Sequence, residues 1–227
     1  MHGWFRRYRK SMHPEVNGPD FTADRERMVQ SQLAARGICD PAVLSAFRKV
    51  PRHLFVAPEY RARSCEDHPL PIGFDQTISQ PFVVAYMLQA LELRGTERVL
   101  EIGTGCGYQT ALLAELSASV CTVEFFPELS ARARRTLGQL AYANISFSVG
   151  DGAQGWPHCA GPEFDAIIGS AAPREFPPRL CEQLLPGGRM ILPLGSLKQE
   201  LVLVRRGADR LERETLMPVR FVPMQEG

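Results

Sequence analysis

The chain has 227 residues, of which 44% are hydrophobic and 22% are charged, a balance that is typical of a folded domain and excludes wholesale disorder. The length favours one large domain, with or without an appendage, over several domains. Since the formal net charge is only +1, the chain as a whole offers no electrostatic field for binding nucleic acid or anionic lipid.

The first 20 residues differ in composition from the rest of the chain. Four basic residues lie within residues 6–10, and prolines and a glycine follow up to Pro19. This stretch lacks the apolar core of a secretory signal. We predict a flexible basic arm at residues 1–20, either a solvated tail or a contact for acidic partners, and a single domain at residues 21–227.

Two helices are predicted at the start of this domain. Apolar positions favour the first helix at residues 24–36, and Gly37 ends it. Asp40 is the expected N-cap of the second helix, which ends at Pro51. A helical and loop part at residues 21–94 is therefore expected before the rest of the domain.

Residues 67–81 contain three prolines and a glycine. This composition predicts a loop without regular secondary structure, although Leu70, Ile72 and Ile78 favour burial. Ordered loops of this kind often carry function. Pro81 suits the first position of a helix that continues to Leu91.

After Gly95, short apolar runs alternate with helical stretches. Helices are predicted at residues 108–116 and 127–140, and strands at residues 98–102, 120–124, 145–149, 164–168, 190–192, 199–205 and 211–222. This alternation predicts an α/β fold at residues 95–227, with a doubly wound, mostly parallel sheet and helices on both faces.

A glycine cluster follows the first strand of this sheet. Residues 99–107 read Val-Leu-Glu-Ile-Gly-Thr-Gly-Cys-Gly, which predicts a strand that leads through a tight turn into a helix. Glycine lets a ligand approach the backbone closely, and the helix N-terminus favours an anionic group. The dinucleotide pattern would need its third glycine at the position of Tyr108, which argues against a nicotinamide cofactor.

Two acidic residues follow the next two strands. Glu124 ends the second strand, where a carboxylate can accept hydrogen bonds from both ribose hydroxyls. Asp151 follows the third strand and could accept a hydrogen bond from an adenine amine. Each acid alone could equally be a strand-end cap or a solvated charge.

These residues together resemble the first motif and the nucleoside-binding acids of the class I S-adenosylmethionine-dependent methyltransferases. More narrowly, the chain from about residue 24 is similar to the protein-L-isoaspartate O-methyltransferase family. The most specific likeness is the Gln-Thr-Ile-Ser-Gln-Pro loop combined with the glycine motif and the Phe-Val-Pro ending. The matching stretches are residues 69–73, 76–81, 99–109, 150–152, 155–156, 171–173, 183–184, 186–188, 193–195 and 221–223.

The resemblance implies a seven-stranded, Rossmann-like methyltransferase fold and a repair reaction. The α-carboxylate of an L-isoaspartyl residue in a damaged protein or peptide is methylated by S-adenosylmethionine, which leaves S-adenosylhomocysteine. The ester then closes to a succinimide, whose hydrolysis returns part of the population to normal aspartate. Because a carboxylate is already ionised at neutral pH, this chemistry needs no general base.

The resemblance also assigns roles to individual residues. Ser79, supported by Thr77, is the expected active-site residue, although its spacing also suits a cap for the helix that begins at Pro81. Substrate-binding residues are expected at Gln76, Ile78, Phe221, Val222 and Pro223, the last three of which could instead be core and edge-strand residues. Cofactor-binding residues are expected at Glu101, Gly103, Thr104, Gly105, Gly107, Glu124, Asp151 and Gly152. Phe125 is also expected to contact the cofactor, although it stands where the family frequently has a basic residue and could instead pack into the sheet.

Three other functions remain open at this point. A peptide-tailoring enzyme that methylates ordinary aspartate is one, since Asp75 replaces a glycine common in the family and adds a carboxylate near the acceptor. A non-catalytic S-adenosylmethionine-binding module is another, although it would not need Thr77 and Ser79. A nucleic-acid methyltransferase is disfavoured, because residues 169–173 read Gly-Ser-Ala-Ala-Pro and not the Asn-Pro-Pro-Tyr type.

The remaining expectations concern metals, membranes and assembly. The six cysteines and five histidines are scattered without ligand spacing, so no metal site and no disulfide framework are expected. No apolar run approaches the length of a membrane span. We expect a cytoplasmic protein that acts as a monomer and binds neither nucleic acid nor membrane.

Overall fold

The computed structural model describes residues 20–157, 159 and 161–225. The predicted basic arm therefore lies outside the described residues, apart from Asp20. None of the helices in these ranges is long and apolar enough to pass through a lipid bilayer.

The described chain begins with one helical stretch that changes geometry along its length. Helix α1 spans Thr22–Met28 and continues as a π-helical turn at Val29–Leu33 and a 3-10 turn at Ala34–Arg36. Gly37, with a φ of +94°, ends it as the sequence predicts. The left-handed conformation is the usual helix stop, and glycine adopts it without steric cost.

The second predicted helix is also confirmed. Helix α2 spans Pro41–Lys49, and the carboxylate of Asp40 accepts hydrogen bonds from the backbone N–H groups of Ala42 and Val43. Two 3-10 turns, Arg52–Phe55 and Pro58–Arg63, follow it. They connect the helical part to the segment that was expected to be an irregular loop.

That expectation is wrong, because residues 67–81 contain an antiparallel hairpin. Its strands are β1, Leu70–Gly73, and β2, Gln76–Ile78. Phe74 and Asp75 form the turn with a φ of +55° each, the left-handed conformation that two-residue hairpin turns favour. Both strands of a two-stranded ribbon are edge strands, where a proline is tolerated. Helix α3, Pro81–Leu91, follows as predicted.

The seven-stranded, mostly parallel sheet is confirmed. The strand order is β5-β4-β3-β6-β7-β8-β9, and only β8 runs against the others. The strands are β3 Arg98–Ile102, β4 Ser119–Glu124, β5 Ile145–Val149, β6 Phe164–Gly169, β7 Leu184–Gly195, β8 Gln199–Arg206 and β9 Leu211–Val219. The helices between them are α4 Tyr108–Leu116, α5 Pro127–Gln139 and α6 Pro178–Gln183.

Two hydrophobic cores cover the two faces of this sheet. Consecutive strand residues alternate between them, as Val99 and Leu100 of β3 do, because successive side chains point to opposite faces. The larger core contains residues of α2, α3, α4 and α5, and the smaller one contains Leu180 of α6. Helix α6 was not predicted, because its six residues are too few to show a helical period.

The topology fixes where a ligand can bind. Strand β4 lies on one side of β3 and β6 lies on the other, so the order of connection reverses between β3 and β6. In open α/β sheets a crevice opens at such a point, beyond the carboxyl ends of the strands. The glycine cluster follows β3 and therefore lies at this crevice.

Candidate functional site

A cleft opens at the carboxyl ends of β3, β4 and β6. Its wall combines the glycine turn, the β1–β2 hairpin and the C-terminal segment. The lining residues are Ile72, Gln76, Thr77, Ile102, Gly103, Gly105, Val123, Glu124, Phe125, Phe126, Gly152, Ser170, Ala171, Val222, Pro223, Met224 and Gln225. Parts of the chain that are far apart in sequence thus meet at one site.

The floor of the cleft is made of glycine backbone. Gly103 and Gly105 have φ values of +91° and +55°, a region that side chains disfavour. A Cβ at Gly103 would lie 3.3 Å from Cβ of Ser170, and one at Gly105 would lie 3.3 Å from Cδ1 of Ile72. Glycine at these two positions therefore satisfies the turn and keeps the floor open to a ligand.

Glu124 is held rigidly at the wall of the cleft. Its Oε2 atom accepts a hydrogen bond of 2.7 Å from the backbone N–H of Gly105, and its Oε1 atom accepts one of 3.0 Å from Phe126. Each carboxylate oxygen has further acceptor capacity, so this geometry can bind a pair of ligand hydroxyls. Phe125, next in the chain, is 36% exposed and presents an aromatic surface beside it.

Four of the residues expected to bind cofactor do not line the cleft: Glu101, Thr104, Gly107 and Asp151. Glu101 is completely buried below the turn, where it accepts hydrogen bonds from the hydroxyls of Thr110 and Thr122 and from the amide of Gln109. Burial raises the pKa of the Glu101 carboxyl to about 7, although these hydrogen bonds oppose the rise. Thr104 joins this network through a 2.6 Å contact with the Thr122 hydroxyl.

Gly107 and Asp151 shape the backbone next to the cleft. A Cβ on Gly107, which has a φ of +91°, would lie 3.0 Å from Leu137 and 3.1 Å from Ala133 of α5. Asp151 accepts a hydrogen bond from the backbone N–H of Ala153 and so caps a 3-10 turn. Gly152, directly after it, does line the cleft.

A second cavity adjoins the first. It is lined by Pro69, Thr77, Ser79, Gln80, Val83, Ser170, Met217, Pro218, Val219, Arg220, Phe221 and Val222. Thr77, Ser170 and Val222 line both spaces and so form the boundary between them. We call the first space the glycine cleft and the second the Ser79 cavity.

In the structure, Ser79 does not cap helix α3. The N-cap of that helix is Gln80, and no side chain caps it. Ser79 instead lines its cavity, with Thr77 at the boundary. Ile78, between them, is 4% exposed and belongs to the core, so the hairpin turns it away from both spaces.

The C-terminal segment contributes the opposite wall. Val222 accepts a hydrogen bond from the N–H of Ala172, and Met224 donates one back to Ala172. The side-chain amide of Gln199 bonds both backbone polar groups of Phe221. Phe221 lines the Ser79 cavity, Pro223 lines the glycine cleft and Val222 lines both. Strand β9 ends at Val219 and is therefore shorter than the strand predicted at residues 211–222.

Ser170 and Arg52 are among the residues at the site that the sequence did not predict. Ser170 directly follows β6 and accepts a hydrogen bond of 2.7 Å from Gln109; its place at a strand end is a signal that could have found it. Arg52 is completely buried and donates to the backbone oxygen of Ser79. Its position in an apolar stretch after α2 gave no signal of this contact.

In the described part of the chain, acidic, cysteine and histidine side chains do not gather into a potential metal site. Within residues 20–157, 159 and 161–225, no group of three such residues could hold a metal ion. All six cysteines are free thiols.

Two comparisons with known sequences give the same family. The family model for protein-L-isoaspartate(D-aspartate) O-methyltransferase matches residues 23–227. The protein-L-isoaspartate O-methyltransferase of Picosynechococcus sp. is 48% identical over 211 residues, which cover 91% of this chain and 94% of that protein.

Solved structures show the same fold. A structure of a protein-L-isoaspartate O-methyltransferase superposes with a TM-score of 0.79 and 28% identity, over 88% of this chain and 65% of that one. A structure from Plasmodium falciparum, in complex with S-adenosyl-L-homocysteine, superposes with a TM-score of 0.78 over 92% of this chain and all of that one. Its identity of 23% supports the shared fold alone.

Proposed function

Because the chain belongs to the protein-L-isoaspartate(D-aspartate) O-methyltransferase family, we propose that it transfers the methyl group of S-adenosylmethionine to the α-carboxylate of L-isoaspartyl residues in damaged proteins and peptides. The observation that carries the proposal is the shared boundary of the two spaces at Thr77, Ser170 and Val222. A methyl donor in the glycine cleft and an acceptor in the Ser79 cavity would meet there.

The glycine cleft fits the nucleoside and amino-acid parts of S-adenosylmethionine. Gly103 and Gly105 provide the open backbone floor, and Glu124 provides a fixed carboxylate for the ribose hydroxyls. Phe125 and Gly152 flank the space where an adenine ring would lie. We propose that Glu101, Thr104 and Gly107 support this turn from below. Asp151 caps the 3-10 turn at Gly152–Gln154.

S-adenosylmethionine supplies an electrophilic methyl group on a sulfonium centre. Transfer forms a C–O bond and breaks a C–S bond, whose electron pair stays with sulfur, so no proton has to move. The chain therefore has to align the acceptor oxygen and exclude water, which is a task of positioning. Ser79 suits this task because a neutral hydroxyl can donate a hydrogen bond to a carboxylate without neutralising it.

The C-terminal wall completes the acceptor site. Phe221 and Val222 provide apolar surface opposite Ser79, which favours the charge-neutralising step because an anion and a sulfonium become two neutral products. Gln76 and Pro223 lie on the side of the glycine cleft. Ile78 supports the hairpin from the core.

The proposal is tested by labelled methyl transfer to two peptides that differ only in isoaspartate or ordinary aspartate at one position. We expect transfer to the isoaspartyl peptide alone, with a base-labile product, because an ester releases methanol at mild alkaline pH. Preference for ordinary aspartate would instead support the tailoring enzyme. Cofactor binding in calorimetry without transfer to either peptide would support the non-catalytic module.

We further propose that residues 21–227 act as one methyltransferase domain, as a monomer in the cytoplasm. Free thiols are typical of a reducing compartment, and all six cysteines are free. Light scattering of the purified protein at several concentrations tests the monomer, and a concentration-dependent mass would contradict it. Fractionation of the source cells tests the compartment.

A further inference from the structure

Arg52 is a buried cation that has no acidic partner among the described residues. Its side chain is completely buried, and no carboxylate in the described part of the chain lies within salt-bridge distance of it. Burial lowers the pKa of the guanidinium from its ordinary value. A charge in this environment is costly unless hydrogen bonds and nearby dipoles compensate it.

The compensation comes from two backbone oxygens and an aromatic ring. The Nε atom of Arg52 donates a hydrogen bond of 2.7 Å to the oxygen of Ser64, and Nη2 donates one of 2.7 Å to the oxygen of Ser79. The guanidinium carbon lies 4.6 Å from the ring centroid of Tyr108, within the range of a cation–π interaction. Nη1 of Arg52 has no hydrogen-bond partner among the described residues.

These contacts join the two halves of the site. The Ser79 oxygen belongs to the peptide that connects Ser79 to Gln80, and both residues line the Ser79 cavity. Tyr108 is the first residue of α4 and directly follows Gly107 in the glycine turn. The guanidinium therefore contacts the backbone at Ser79 on one side and the start of α4 on the other.

We propose that Arg52 is a positioning residue for methyl transfer. It fixes the peptide plane of Ser79, and thereby the Ser79 hydroxyl, relative to the glycine turn. The inference rests on the proposed function, because alignment matters only if an acceptor at Ser79 is methylated from the glycine cleft. An apolar side chain could fill the same core position, but it could not hold the Ser79 carbonyl.

The test compares three variants on the isoaspartyl peptide: Arg52→Met, Arg52→Lys and Arg206→Met. Arg206 is the matched control, because its guanidinium also bonds two backbone oxygens, those of Cys181 and Leu184, away from both spaces. Each variant is measured for kcat and KM in methyl transfer, for the Kd of S-adenosylhomocysteine by calorimetry, and for Tm.

We expect Arg52→Met to lower kcat by roughly 10- to 100-fold, since a misplacement of about 1 Å at a reacting group can cost this much. The Kd of S-adenosylhomocysteine should change by less than about threefold, because the glycine cleft keeps its own contacts. Arg52→Lys keeps the charge and one hydrogen bond and should recover part of the lost kcat. Arg206→Met should lower Tm while kcat stays within about threefold of the wild type.

The inference is overturned if Arg52→Met keeps the wild-type kcat, or if kcat and cofactor affinity fall in the same proportion. If Arg52→Met does not fold, Arg52→Lys decides: a reduced kcat at unchanged cofactor Kd supports positioning, and a wild-type kcat overturns it. A wild-type protein that methylates neither peptide would overturn the proposed function itself. This result differs from the variant results that would overturn the role of Arg52, because those require an active wild type.

Discussion

Ser79 lines the Ser79 cavity and does not cap the helix that follows it. We predict that Ser79→Ala lowers kcat for the isoaspartyl peptide by about 100-fold, because the acceptor loses an orienting hydrogen bond. The Kd of S-adenosylhomocysteine and the Tm should stay close to the wild-type values. Kinetics and calorimetry on the purified variant check this.

Ser117→Ala is the control for this substitution. Ser117 is a serine outside both spaces; its hydroxyl donates a hydrogen bond to the oxygen of Leu113, and it lies at the far end of α4. It should lose a little stability and keep its kcat. A fall in kcat of similar size in both variants would remove the special role of Ser79.

Glu101 makes stability depend on pH in a particular direction. Its folded-state pKa of about 7 lies above its ordinary value of 4.5. Between these values the folded state keeps a proton that the unfolded state releases, so the free energy of unfolding falls as pH rises. The stabilisation is complete below the unfolded pKa and is lost as the pH rises through about 7.

Urea unfolding of the wild type and of Glu101→Gln at pH 5, 6, 7 and 8 measures this effect. Other titrating groups contribute equally to both proteins, so the difference in the free energy of unfolding isolates Glu101. We expect the wild type to lose stability relative to the variant from pH 5 to pH 8, with most of the loss below pH 7. A constant difference across this range would contradict the raised pKa.

The residues that the sequence places correctly at the cleft are those whose position at a strand end determines their surroundings. Gly103, Glu124 and Gly152 lie at or just after strand ends of a parallel sheet, and such ends meet at one edge. Glu101 was placed in the cofactor site because it belongs to the motif, but strand alternation turns its side chain toward the core. Arg52 could not be found, since its partner is a backbone oxygen 27 residues away, which no spacing rule encodes.

At the level of helices, Gly107 sets how closely α4 approaches α5. We predict that Gly107→Ala lowers the free energy of unfolding by about 2 to 4 kcal/mol, from a left-handed φ and contacts of 3.0 and 3.1 Å with α5. Denaturant unfolding measures the loss. The Kd of S-adenosylhomocysteine, measured on the folded fraction, distinguishes two causes. A loss of packing alone leaves this Kd unchanged, whereas the loss of a ligand contact raises it.

Gly138→Ala is the matched control on α5. An added Cβ at Gly138 would meet nothing within 4 Å, and alanine favours helix over glycine. This variant should gain about 0.5 to 1 kcal/mol. If both variants behave alike, close packing at Gly107 is not the cause.

The β1–β2 hairpin shows why a loop prediction failed. Prolines and a glycine normally interrupt strands, yet a two-stranded ribbon tolerates them at its edges. Its turn places Phe74 5.3 Å from the ring of Phe126, beside the glycine cleft. This contact joins segments 52 residues apart, so it depends on the assembled fold and left no local pattern in the sequence.

For the whole molecule, binding of the adenosyl ligand should raise the free energy of unfolding. S-adenosylhomocysteine at 100 times its Kd should raise the free energy of unfolding by about 2.7 kcal/mol, because it binds the folded state alone. Glu124→Gln should weaken this binding by about 10- to 100-fold, since a charged acceptor for two hydroxyls contributes about 1.5 to 3 kcal/mol. Unfolding with and without ligand measures both.

Glu115→Gln is the control for charge removal. Glu115 accepts hydrogen bonds from Lys49 and Tyr142, away from the cleft. S-adenosylhomocysteine should raise the free energy of unfolding of Glu115→Gln as much as that of the wild type. If Glu124→Gln is stabilised as much as Glu115→Gln, Glu124 does not bind the ribose.

The hairpin that carries Thr77 walls both the glycine cleft and the Ser79 cavity. Occupation of one space therefore restricts a wall of the other, and the two binding equilibria become coupled. Linkage makes such coupling reciprocal: the factor by which the adenosyl ligand tightens peptide binding is the factor by which the peptide tightens the adenosyl ligand. Through the ribbon that the two spaces share, a ligand that changes the affinity of one space is itself bound with an affinity changed by the same factor.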